Sequence, residues 1–157
     1  MTTDESRKAY SLQLIASYRR PLEPFFRYIP WFSERVNKKQ GQFFDGEDIS
    51  GTIPIAVYDS TLLNFVRGMQ ETGLMDRNYP YIFRKYYLNT VFDERALIER
   101  CGLTEVDVIL GIMAKYVLGG MTRGVLWNEA VEEGIFYLGL TRIKTILEMY
   151  SDVTVHR

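Results

Sequence analysis

Histidine and cysteine are almost missing from this 157-residue chain, with His156 and Cys101 the only representatives. A single cysteine excludes an internal disulfide and a cysteine zinc site, and fits a reducing compartment. His156 stands next to the C-terminus, where chains fray, so a Ser-His, Cys-His or histidine–metal centre would have to be built on that end. Cys101 falls near the end of a predicted helix, where the dipole disfavours a thiolate, and it reads as a small packed residue. Neither GxxxxGKS/T nor GxGxxG occurs, so no phosphate cradle is signalled. No apolar run reaches the roughly 20 residues that span a bilayer. The longest, 106–120, is interrupted by Asp107 and Lys115. The opening Met1–Lys8 is polar and lacks the apolar core of a signal peptide. A formal net charge of -1 removes the usual mark of a dedicated nucleic-acid or membrane-surface binder. The expectation is a cytoplasmic protein with no cofactor, no metal and no membrane partner.

Aromatics are plentiful: eleven Tyr, nine Phe and two Trp, in a chain that is 46% hydrophobic and 25% charged. That composition belongs to one globular domain able to bury a core. Helical spacing of Tyr10, Leu14, Ile15 and Tyr18 predicts a helix over 4–20. Pro21, Pro24 and Pro30 then break a dense aromatic stretch, Phe25, Phe26, Tyr28, Trp31 and Phe32, into short pieces, with 32–37 expected as the second helical segment. Gly41, Gly46 and Gly51 mark 38–54 as a long loop carrying Asp45, Glu47 and Asp48. Asp59 is placed to cap a helix through Leu62, Phe65, Val66 and Met69 that Gly73 ends. Pro80 opens a helix bearing Ile82, Phe83, Tyr86 and Tyr87 as an apolar stripe. Asp93 is expected to cap a helix stopped by Gly102. Thr104 and Asp107, with Leu103 and Val108, have the spacing of a capping box and staple for a helix running to Gly119-Gly120. Residues 124–150 read as two helices meeting near Gly134, or as one. The fold class is therefore all-α, a single domain of six to eight short helices over 1–157, with 1–8 and 151–157 frayed. Only 52–58 alternates in a way open to a short strand.

The neutral total hides an asymmetry. Residues 1–40 hold eight Lys/Arg against four Asp/Glu, and residues 41–80 hold two against six, so a +4 segment precedes a -4 segment. Internal pairing of the two is the favoured explanation.

Three groups of residues are left that can recognise something. Ala96 to Val106 resembles a helix-turn-helix, although Glu105 and Asp107 would face phosphates. Tyr79, Tyr81, Arg84 and Lys85 interleave rings with cations, a pattern suited to core packing, to an interface or to stacking on single-stranded bases. Gly119 to Gly124 is a tight inter-helix link in which Arg123 could meet an anion. Carboxylates are the one catalytic option, as Glu129, Glu132 and Glu133 share a helical turn, but a solvated helix face is the favoured explanation for them.

Tyr116-Val117-Leu118-Gly119-Gly120-Met121-Thr122-Arg123-Gly124, with Trp127, Ala130 and Glu133-Gly134 after it and Tyr28-Ile29-Pro30-Trp31-Phe32 and Tyr58-Asp59-Ser60 before it, resembles an uncharacterised all-helical bacterial domain family of Firmicutes and their mobile elements. The resemblance implies an all-α fold and supplies no activity, ligand or catalytic residue. Its setting suggests a mobile-element accessory or a host-defence inhibitor of anti-CRISPR type. The expectation is a non-enzymatic protein-binding module using Tyr79, Tyr81, Arg84 and Lys85 together with Asp45, Glu47 and Asp48. Nucleic-acid binding through Arg84, Lys85 and Arg123 is the alternative, and a carboxylate or metal hydrolase at Glu129/Glu133 the third reading.

Overall fold

Helical periodicity is realised along nearly all of residues 3–38 and 59–155, the part of the chain that the computed structural model describes. The α-helices are α1 (Thr3–Leu22), α2 (Ile29–Ser33), α3 (Ser60–Glu71), α4 (Tyr79–Lys85), α5 (Val91–Arg100), α6 (Val106–Gly119), α7 (Val125–Glu132) and α8 (Ile135–Val155). Two 3-10 turns, Glu23–Tyr28 and Leu103–Glu105, precede α2 and α6. No strand occurs among the described residues, and the 52–58 segment lies outside them, as do Asp45, Glu47 and Asp48. The class is all-α, as expected; α1 begins at Thr3 and α8 continues to Val155.

The molecule is organised around α6. Ten of its residues are buried, from Val106 to Val117, because its sequence is apolar on nearly every side rather than on one stripe. Helices α3, α4, α5, α7 and α8 all pack on it, and α8 in turn supports α1, α2 and α5. Two glycines allow the tightest of these approaches. A side chain at Gly111 would strike Ile82 of α4, and one at Gly139 of α8 would lie 2.6 Å from the Met113 sulfur.

The proline-broken aromatic stretch fills the other side of the core. Phe32, Phe65 and Phe136 come from three helices with ring centroids 4.8–5.6 Å apart, and Tyr28 and Phe25 close edge-on against Phe65. The second segment is not 32–37. Pro30 is accepted in the first turn of α2, where its missing N–H has no partner to lose, and the helix has ended at Ser33. The following turn docks elsewhere: the Asn37 amide donates to the Glu132 carbonyl at 2.8 Å. Gly134, at φ +76°, makes the sharp break between α7 and α8 that a side chain would resist.

Capping chemistry sets most boundaries. Asp59 accepts from the Thr61 amide at 2.7 Å and starts α3. At α5 the cap is Thr90 rather than Asp93. The Asp93 amide donates to Thr90 Oγ1, and Asp93 Oδ2 reaches back to accept from the amides of Thr90 and Asn89. At α6 the reach-back comes from Glu105, which accepts from the Gly102 amide at 3.2 Å, and Thr104 is exposed.

The α6–α7 link is closed by Trp127, whose indole N–H donates to the Val117 carbonyl at 3.0 Å. That ring covers Gly120 so closely that a methyl group there would overlap three indole atoms. Gly120→Ala should therefore lower the unfolding free energy by about 1–3 kcal/mol in urea titration. An unchanged value would mean that the indole moves aside freely.

Candidate partner-binding surface

Helix α4 is short and two-sided. An aspartate turn introduces it, Asp76 Oδ1 accepting from the Asn78 amide at 2.8 Å, and Pro80 opens it. Ile82, Phe83 and Tyr86 are half-buried and face the core. Tyr79 is also half-buried, its ring set edge-on 6.2 Å from Phe83. The outer side carries Tyr81, 52% exposed, with Arg84 and Lys85. Lys85 Nζ lies 5.9 Å and 5.4 Å from the Tyr81 and Tyr86 ring centroids, weak cation–π distances. Neither Arg84 nor Lys85 has a carboxylate partner among the described residues.

The helix stops at Lys85, and the apolar stripe expected to include Tyr87 stops with it. Leu88 N–H donates to the Phe83 carbonyl at 2.9 Å and Tyr87 N–H to the Arg84 carbonyl at 3.3 Å, closing a Schellman end. The residue this end places in the left-handed region is Tyr87, at φ 56°, where glycine is the usual occupant. Leu88 is buried, and the Tyr87 ring is turned out, 80% exposed. Phe92, in the first turn of α5, is 79% exposed. Sequence reasoning missed both: Tyr87 fell on the helical stripe, and Phe92 carries no pattern that separates it from a core ring.

Beside this ridge runs a groove walled by α1, α4 and the start of α6. One stretch, of about 380 Å³, is lined by Tyr81, Lys85, Thr104 and Glu105. The next, of about 610 Å³, is lined by Tyr18, Met75, Arg77 and Leu110. Asp76, Ile82 and Asp107 line both.

The remaining candidates fare differently. The turn element 96–106 presents no recognition helix, since α6 is buried along its length and shows solvent Asp107 near its start. Arg123 is exposed in a link whose own carbonyl, Gly119 O, takes the Arg123 amide at 2.9 Å and the Thr122 hydroxyl at 3.2 Å. Glu129, Glu132 and Glu133 are each half-buried, and among the described residues no acidic group is set to hold a metal ion. Cys101 is fully buried, and burial first, then Glu105, pushes its thiol up to about 11, so it stays protonated.

One polar site in the core was not legible beforehand. Glu94 of α5 is 2% exposed and accepts from the Tyr116 hydroxyl at 2.6 Å, with Lys115 Nζ at 3.6 Å from its other oxygen. Lys115 also lies about 5 Å from the Phe83 and Tyr116 rings. Burial raises the Glu94 carboxyl above its ordinary 4.5, while Tyr116 and Lys115 pull it down and Glu129 adds to the rise. Tyr116 is likewise held protonated, first by burial and then by Glu94.

No family model matches this chain. No curated protein and no solved structure matches it either.

The buried carboxyl makes a pH prediction. A folded-state value above the unfolded one gives stability that is complete below about pH 4.5 and is lost as pH rises through the folded value. The stability of Glu94→Gln relative to the native protein should thus climb as pH rises above about 4.5 and level off once pH passes the folded value. Urea titrations across that range measure it, and a flat difference would contradict a raised carboxyl. Tyr116→Phe, which strands the carboxyl, should cost about 1–3 kcal/mol.

Proposed function

We propose that this protein is a non-enzymatic module that captures a protein partner through the outer face of α4 and the turn into α5. The observation that carries the reading is Tyr87. A non-glycine residue in the left-handed region costs about 1–2 kcal/mol, and core packing offsets such a cost only when the side chain is buried. Here the ring is 80% exposed, so the fold gains little from it. An aromatic kept at a strained position in solvent is what an interface anchor looks like in the unbound chain. Tyr81, Phe92, Arg84 and Lys85 surround it along one stretch of chain, and rings with arginine are the residues that dominate protein interfaces.

Nucleic acid fits this face less well. Glu105, Asp107 and Asp76 stand next to Lys85 in the adjoining groove and oppose a phosphate backbone. Enzymatic chemistry has no support beyond Glu94 and Tyr116, which are buried with no room for a substrate. A role as a mobile-element accessory or host-defence inhibitor is consistent with such a module and rests on the sequence resemblance alone.

Two variants test the assignment. Tyr87→Gly should keep or raise the melting temperature while reducing partner capture from the native cell, read by quantitative mass spectrometry against the unaltered bait. Tyr81→Ala with Arg84→Ala should do the same at unchanged helical circular dichroism. Capture untouched by both, or a salt-dependent shift of short oligonucleotides that both abolish, would replace the reading.

A further inference from the structure

We propose that the groove between α1, α4 and the start of α6 is a docking channel for an apolar segment of the partner protein that carries lysine or arginine. The proposal rests on the reading of the α4 face as a partner surface and adds the chemistry of what it holds.

The channel is preformed. Its two stretches adjoin, sharing Asp76, Ile82 and Asp107 as lining residues, and its floor is tied into the core. Val108 and Leu110 are buried residues of α6, and Ile82 is pressed against Gly111, so the floor needs no rearrangement to accept an apolar chain. An apolar floor alone would suit many occupants, and the charge above it narrows the choice. Asp76, Glu105 and Asp107 line the channel, and none has a cationic partner among the described residues. Asp76 and Glu105 each give one oxygen to a backbone amide and keep the other free. The opposing cations, Arg77 and Lys85, are fewer, and Lys85 is drawn toward the Tyr81 and Tyr86 rings. Tyr18 reports the same field: its phenol is raised by burial and then by Asp107.

Among the described residues no group of three or more acidic, histidine or cysteine side chains is placed to hold a metal ion. A side chain with a long apolar stem and a cationic head matches a groove whose lining combines apolar residues with carboxylates. Its methylenes lie on Ile82 and Leu110 while the charge reaches the aspartates at the rim. The adjoining volumes, about 380 and 610 Å³, provide room for several side chains of a segment rather than for one.

The test uses the full chain and a labelled hexapeptide alternating leucine and lysine, with a counterpart carrying glutamate for lysine. Fluorescence anisotropy at low salt should show saturable binding of the lysine peptide that weakens as salt rises, and none of the glutamate peptide. Asp76→Asn combined with Asp107→Asn keeps the turn acceptor and should weaken binding about ten-fold. Thr104→Lys, exposed on the channel wall, should weaken it too, providing a second measurement if the double variant folds poorly. Absence of saturable binding, equal affinity in these variants, or preference for the glutamate peptide would overturn the channel. Because Tyr87 and Phe92 do not line the channel, partner capture lost in Tyr87→Gly while the peptide fails to bind would reject the channel and leave the ridge standing.

Discussion

Burying α6 on all sides is the constraint from which the rest of the structure follows. A helix with ten hidden residues in a chain of this size must be wrapped by neighbours from several directions, because no single partner can cover it. The neighbours approach closely only where side chains are absent, which is why Gly111 and Gly139 stand opposite Ile82 and Met113. The same burial places a tyrosine hydroxyl in the interior, and a buried hydroxyl needs a partner. Glu94 supplies it, and Lys115 offsets the charge that Glu94 would otherwise carry unaccompanied. The polar cluster is thus a consequence of how α6 is covered, and its chemistry is turned inward.

Covering α6 with short pieces also decides where the outer surface is left rich in rings. A seven-residue helix has room for one apolar side, and α4 uses it on Ile82, Phe83 and Tyr86. The chain must then reverse within a few residues to begin α5, and the Schellman end with its left-handed residue makes that reversal. Glycine at this point would serve the turn better than tyrosine does. The discrepancy between what the turn needs and what occupies it is the strongest argument that Tyr87 is kept for something outside the fold.

Boundaries made by local chemistry were legible in the sequence. Asp59 as a cap, Pro80 at a helix start, and Gly73 and Gly134 at positive φ are decided within a few residues, and each sits where its type predicts. Features decided by distant packing were not. Thr90 displaced Asp93 as the cap because a threonine–aspartate box satisfies amides at both ends of one turn, an arrangement that spacing alone does not distinguish from Asp93 acting by itself. The aromatic stretch gave no sign that Phe32 would meet Phe65 and Phe136, which lie far along the chain. The spacing of Ile82, Phe83, Tyr86 and Tyr87 fits a helix of any length, so periodicity could not reveal that the helix ends before Tyr87. Of the expected surface, Tyr81, Arg84 and Lys85 are exposed, Tyr79 is half-buried, and the acidic loop at Asp45, Glu47 and Asp48 lies outside the described residues.

Near-neutral net charge does not argue against a charged recognition surface, because what a partner meets is the local field. Among the described residues, Arg84 and Lys85 of α4 have no carboxylate partner, and Asp76, Glu105 and Asp107 in the groove beside it have no cationic one. Lys85 and Arg77 stand among these acids in the groove, yet no ion pair joins them among the described residues: α4 carries Arg84 and Lys85, and the turns around it carry most of the acids. A polyanion would gain from the ridge and lose at the groove, so its net attraction is small and falls quickly with salt. A protein segment with both signs of charge and an apolar centre gains at both. On the proposed reading, this mixture of charge across a few residues would favour a polypeptide over a phosphate backbone, through discrimination more than through total affinity.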